Sequence, residues 1–321
     1  MRIRSGWVVP AVLAGIVAAY LAGRPLGARL SGNGGAAADV GAAEAGPTPQ
    51  EAQAAAPAAL PLPGTPLKSV FAQLQARAAA GDVAAATRLY RDLRLCQQLE
   101  RLDWVFSRVD DALLDSEVDA ADLRAMQDYR VQLDAVEQRE QAIGKYHRLC
   151  DGLDPEMSAA RLPSLQRAAQ LGEPLARACY LQRGPEYDRS GLIRHPEWLA
   201  AYRGNVESMI GAGLEAGDWR VVDVVRSAYE PGADGMLAAA LGSDPVMHYR
   251  YLRLYALGLG RNPGVEVQGQ LAASADRLTP EQRLDADMWA RTQYQRRFTA
   301  SDLASSAPSG WDPCSFPYEP M

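Results

Sequence analysis

Apolar residues in this chain recur every three or four positions and seldom every second one, the rhythm of helices burying one face. Thr65-Pro66 predicts a helix start, with Thr as N-cap and Pro in the first turn, and Val70, Phe71 and Leu74 then carry the rhythm to Gly81. Asp82 is placed to cap a second helix bearing Ala85, Ala86, Leu89, Leu93 and Cys96, followed by a third from about Leu99 to Leu114. Asp119 or Asp122 opens a long charged helix whose apolar positions are Leu123, Met126, Leu133, Val136, Ile143 and Leu149. Asp154-Pro155 is a further start signal, and Gly172 ends the segment that it opens. Helices are then expected over 174–182, 196–214, 218–229, 233–241, 245–259, 264–277 and 280–298, the last introduced by Thr279-Pro280-Glu281-Gln282. No stretch alternates as consecutive strands joined by hairpin turns would, so the fold class is all-α. Connections are often one to four residues, which forces consecutive helices to run antiparallel and predicts an array of helical hairpins, an irregular α-solenoid.

The pattern changes at the N-terminus. A basic start, Met1-Arg2-Ile3-Arg4, precedes 18 uncharged residues from Gly6 to Gly23. That length exceeds the ~7–15 apolar residues of a secretory signal and approaches the ~20 that span a bilayer. Trp7 and Tyr20 stand near its two ends, as interfacial aromatics do, whereas Ala-x-Ala-like sites at Val17–Ala19 and Ala36–Ala38 suit cleavage. An uncleaved anchor and a cleaved signal both imply export. Residues 32–66 are rich in Ala, Pro and Gly with few large apolar side chains, too little to offset the entropy of ordering them. The expected organisation is thus a signal-anchor or signal peptide over 1–31 and a disordered linker over 32–66. An all-helical domain over 67–300 and an irregular Pro-rich tail over 301–321 complete it.

Three short segments repeat one another: Ala78-Ala-Ala-Gly81-Asp82-Val-Ala-Ala85, Ala168-Ala-Gln-Leu-Gly172-Glu173-Pro-Leu-Ala176 and Leu214-Glu-Ala-Gly217-Asp218-Trp219-Arg-Val221. The glycine of each suits the left-handed residue that terminates a helix, and the acid after it suits the N-terminus of the next. Arg167-Ala-Ala-Gln-Leu-Gly172 with Ala176 and Leu181, and Tyr255-Ala-Leu-Gly258-Leu-Gly260, resemble the Sel1-like and tetratricopeptide class of helical repeats. The resemblance implies stacked helix pairs presenting a concave binding face. It departs from that class in spacing, since Gly81, Gly172 and Gly217 are separated by 91 and then 45 residues rather than a constant ~34–40.

Composition narrows the function classes. The net charge of −6 gives no basic face for nucleic acid. Four cysteines, Cys96, Cys150, Cys179 and Cys314, fit disulfides in an exported chain and lack the C-x-x-C spacing of a zinc site. Three connectivities are open; Cys96–Cys150 across a helical hairpin, with Cys179–Cys314 stapling the tail, is preferred. No cofactor, metal or catalytic set is predicted. His147, His195 and His248 lie far apart, no nucleophile elbow is present, and Gly258-Leu-Gly-Arg-Asn-Pro-Gly264 lacks the Lys-Ser/Thr of a phosphate loop. Glu207-Ser208 is similar to the Glu-Ser dipeptide of lytic transglycosylases, which implies a general acid at Glu207; the Gly-Leu-Met-Gln loop of that family is missing. The expectation is a non-catalytic periplasmic scaffold, anchored in the inner membrane through residues 6–23 and binding an envelope protein or peptide. Trp198, Tyr202 and Trp219 are its candidate binding aromatics. A wall-lytic enzyme or a purely structural envelope part are the alternatives.

Overall fold

The computed structural model describes residues 59–119, 121–260, 262–307 and 311–315, all within one compact unit, Ala58–Met321. The segment Gly6–Gly23 and the linker as far as residue 58 lie outside the described residues. Among the described residues there are no strands and fourteen α-helices. They are α1 (Leu67–Ala79), α2 (Val83–Leu114), α3 (Leu123–Cys150), α4 (Pro155–Ala159), α5 (Arg161–Gln170), α6 (Pro174–Arg183) and α7 (Arg189–Arg194). They continue with α8 (Glu197–Glu215), α9 (Trp219–Ala228), α10 (Met236–Leu241), α11 (Pro245–Gly258), α12 (Gly264–Ala275), α13 (Pro280–Gln293) and α14 (Leu303–Ser306). A 3₁₀ turn, Gly184–Asp188, precedes α7, and a π turn, Tyr294–Phe298, extends α13. No helix among these is long and apolar enough to cross a membrane.

Local chemistry sets most boundaries. Asp82, Asp122, Asp154, Asp218, Asp244 and Asp302 each accept a backbone N–H of the helix they open, satisfying donors that have no intrahelical partner. Thr279 and Gln282 form a reciprocal capping box at α13. Four expectations are corrected. The Thr65 hydroxyl turns back to the Leu62 carbonyl (2.7 Å), leaving Pro66 as the uncapped boundary of α1. The helices expected on either side of residue 98 are one, α2, because Gln97-Gln98 are good helix formers and no Gly or Pro interrupts them. The segment from Asp154 to Gly172 is two helices: Pro163 has no N–H to return to the Ala159 carbonyl, so the chain restarts at Arg161. Residues 184–194, where no helix was expected, hold the 3₁₀ turn and α7, which starts where Asp188 receives the Gly191 N–H (3.1 Å).

Packing follows the chain. The pair α1/α2 lies against α5/α6, α6 lies against α8 and α9, α9 against α11, and α11 against α12 and α13. One large core runs through this series, from Tyr90 and Leu165 through Tyr180, Tyr202 and Val225 to Phe298. A smaller one unites Leu67, Leu74, Leu89, Leu93 and Leu149 at the base of α2 and α3. Beyond that base α2 and α3 form a two-helix arm. From Leu123 to Ala142 no residue of α3 is buried, while Met126, Tyr129, Leu133 and Val136 are half-covered in a single stripe. At 1.5 Å per residue, α3 is about 42 Å long.

Candidate functional site

Gly81, Gly172 and Gly217 sit in three equivalent junctions. Each has a positive φ (99°, 93° and 64°) that side-chain-bearing residues seldom adopt. In each, the glycine N–H bonds the carbonyl three residues back: Gly81 to Ala78, Gly172 to Ala169 and Gly217 to Leu214, all 3.1 Å. The following acid bonds the carbonyl five back: Asp82 to Arg77 (3.0 Å), Glu173 to Ala168 (3.0 Å) and Asp218 to Gly213 (2.9 Å). The carboxylate of that acid then caps the next helix, Asp82 accepting from Ala85 N–H, Glu173 from Ala176 N–H and Asp218 from Arg220 N–H. One residue thus closes one helix through its backbone and opens another through its side chain.

The junctions are tied sideways. Arg167 of α5 donates to the Ala78 and Ala79 carbonyls at the end of α1 (3.0 and 2.9 Å). Tyr90 of α2 donates to Glu173 (2.9 Å), and Arg91 lies 3.5 Å from the same carboxylate. Arg177 of α6 lies 3.7 Å from Asp218. Burial raises the Asp218 carboxyl above its usual range, outweighing the Arg220 N–H bond and the neighbouring Arg220 and Arg177 charges that pull it down. The third junction is closed by the C-terminal part of the chain: Ser301 Oγ donates to the Gly217 carbonyl (3.1 Å) and Trp219 Nε1 to the Ser301 carbonyl (3.2 Å). The sequence offered the glycines and acids but nothing that pairs Tyr90 with Glu173, 83 residues away.

The three candidate aromatics share no exposed surface: Trp198 and Tyr202 stand one turn apart on α8, but only Trp198 is partly exposed. Tyr202 is fully buried against Tyr180 and Gly184, its hydroxyl donating to the Leu181 carbonyl (2.5 Å). Trp219 is buried between Gly258 and the rings of Tyr294 and Phe298. Both rings are core and neither is presented to a partner. Trp198 alone is half-exposed, stacked on His195 at 4.7 Å and covering Gly191. Beneath it lies a polar knot that sequence reasoning missed. Asp188 Oδ1 accepts from Arg161 (3.1 Å), Ser190 (2.9 Å) and Gly191 N–H (3.1 Å), and the Arg94 guanidinium stands over the Tyr187 ring at 5.1 Å. Tyr187 Oη and Asp188 Oδ2 are buried there without hydrogen-bond partners.

The chain matches no family model, no curated protein and no solved structure.

The remaining candidate chemistry is dispersed. His248 is buried, bonded through Nδ1 to Ser274 Oγ (3.1 Å), and burial lowers its pKa. Glu207 is exposed on α8, and Ser208 Oγ bonds the Asn205 carbonyl. Among the described residues, no three His, Cys, Asp or Glu side chains are grouped to hold a metal ion. The cysteines form two bonds, Cys96–Cys150 and Cys179–Cys314. The first borders an open cleft of about 700 Å³, lined also by Leu99, His147, Arg148 and Asp151.

Proposed function

We propose that the chain is a non-catalytic protein-interaction scaffold of the cell envelope. In this reading Gly6–Gly23 holds it at the inner membrane and the helical body stands in the periplasm. The observation that carries the reading is the serial packing of helix pairs through junctions built alike at Gly81, Gly172 and Gly217. Such stacking makes an extended surface from short units, the architecture of Sel1-like and tetratricopeptide arrays, whose usual work is to grip another polypeptide. Two disulfides are compatible with an oxidising compartment. Large apolar side chains standing in solvent supply anchors for a partner: Ile193 (84% exposed), Leu284 (61%) and Met288 (53%), the last two one turn apart on α13.

Site-specific photo-crosslinkers at Ile193, Leu284 and Met288 in intact cells test the reading, with Glu207 as an exposed polar control. Discrete adducts at the apolar positions and none at Glu207 support it. A chain that crosslinks at none of the three, or is released from washed membranes with residues 1–31 intact, overturns it.

A further inference from the structure

The two disulfides differ in what surrounds them. Cys179 and Cys314 are 0% and 2% exposed, inside the large core. Cys96 and Cys150 stand in the wall of the open cleft, Cys150 half-exposed at the last position of α3. Thiol–disulfide exchange requires a thiolate to reach one sulfur, so access separates the two bonds before any other factor. The cleft also carries fixed positive charge. Among the described residues, Arg148 lines it and the Lys68 side chain lies over Gly152 at its rim, two cations beside the Asp151 carboxylate. An approaching thiolate is an anion, and these cations favour both its arrival and the thiolate that departs.

We propose that Cys96–Cys150 is a site of thiol–disulfide exchange for a dithiol partner, with Cys150 Sγ the sulfur attacked. One partner thiolate forms a mixed disulfide with Cys150 as the Sγ–Sγ bond breaks, and Cys96 leaves as a thiolate and takes up a proton. The second partner thiolate attacks the partner's own sulfur in that mixed disulfide and expels Cys150 as a thiolate. Two electrons pass to the protein, and the partner becomes the disulfide. The bond sits at the base of the arm, where α3 is otherwise buried only through Ile143 and Leu149, so exchange governs how firmly the arm is held.

The full chain, treated with limiting dithiothreitol, quenched in acid, alkylated and mapped by mass, provides the test. Cys96 and Cys150 are expected to be labelled at least about ten-fold faster than Cys179 and Cys314. Equal rates, or earlier labelling of Cys179 and Cys314, overturn the proposal. Reduced glutathione, which is anionic, should be trapped on Cys150, and Arg148→Glu, on the exposed cleft wall, should slow its attack several-fold. Trapping on Cys96, or an unchanged rate in a variant of native helicity, overturns the assigned attack. Hydrogen exchange over residues 123–149 should quicken on reduction, and unchanged protection refutes the link to the arm.

Discussion

Gly81 and Gly217 occupy the same place in equivalent junctions, which allows backbone conformation to be separated from packing by one substitution made twice. At Gly81, with φ at 99°, an added Cβ meets nothing within 4 Å. At Gly217, with φ at 64°, it lands 2.2 Å from the Arg297 carbonyl oxygen, a backbone atom that cannot turn aside. Holding an L-residue in the left-handed region costs about 1–2 kcal/mol, so Gly81→Ala should lose roughly that much. Gly217→Ala adds the displacement of the π turn, an overpacking term of about 1–3 kcal/mol, for a total of roughly 2–5 kcal/mol. The backbone term alone predicts the opposite order, because 64° lies nearer the left-handed well at about 57° than 99° does. Urea unfolding of both variants without reductant, followed by far-ultraviolet circular dichroism, measures the difference. In a domain of this size each kcal/mol moves Tm by about 2–4 °C, so Gly217→Ala should melt several degrees lower. Equal losses, or a greater loss at Gly81, would refute the claim that the C-terminal turn is packed onto the third junction.

Two tyrosines should behave oppositely. Tyr90→Phe removes the bond to buried Glu173 and should cost about 1–2 kcal/mol in denaturant unfolding. Tyr187→Phe removes a buried hydroxyl that has no partner and should be neutral or stabilising by up to about 1 kcal/mol. His248, facing Ser274 with Glu230, Arg226 and Arg277 nearby, is held below its ordinary pKa of 6.5, chiefly by burial. The unfolded chain therefore binds its proton first as pH falls. Stability attributable to His248 is full above about pH 6.5, declines below it, and levels off once the folded form protonates. His248→Gln should flatten that part of the stability–pH curve, and an unchanged curve would count against the assignment. Replacing Cys96 and Cys150 by Ser opens a loop with a sequence separation of 54, worth about 4 kcal/mol in the chain-entropy model. The same change at Cys179 and Cys314, with a separation of 135, should cost about 5 kcal/mol, and equilibrium unfolding compares the two.

What was legible in the sequence was local. Asp154-Pro155 and Thr279-Pro280 mark helix starts because cap and proline act within four residues, and the structure starts α4 and α13 there. Thr65-Pro66 carries the same letters, but its hydroxyl takes a carbonyl behind it, a choice set by how Arg88 draws the Pro61 and Leu62 carbonyls towards α2. Residues 184–194, where no helix was expected, open with a 3₁₀ turn whose Gly184 is needed because the Tyr202 ring lies 2.6 Å from where a Cβ would stand. The junction glycines were visible as a spaced pattern. The ties between junctions were not, since Arg167, Tyr90 and Arg177 reach partners in other helix pairs and nothing in their neighbours' identity announces it. Trp219 looked like a ligand-facing aromatic for the same reason: only the folded chain brings Gly258 and Phe298 over it.

The arm gives the unequal glycine spacing a topological meaning. Cys96 and Cys150 lie 5.5 Å apart between Cα atoms, so the chain leaves the body and re-enters it at nearly one point. Everything between them is a detour whose two ends a few residues could join. Without it, the stretch from Gly81 to Gly172 shrinks to about the length of the next interval. A body assembled in series can host such an excursion without disturbing its register, as a hem stitched shut leaves the cloth on either side flat. Over Leu123–Ala142, where nothing is buried, length and sequence are then free to change with little effect on the body, which makes this the part of the molecule best placed to acquire a new task.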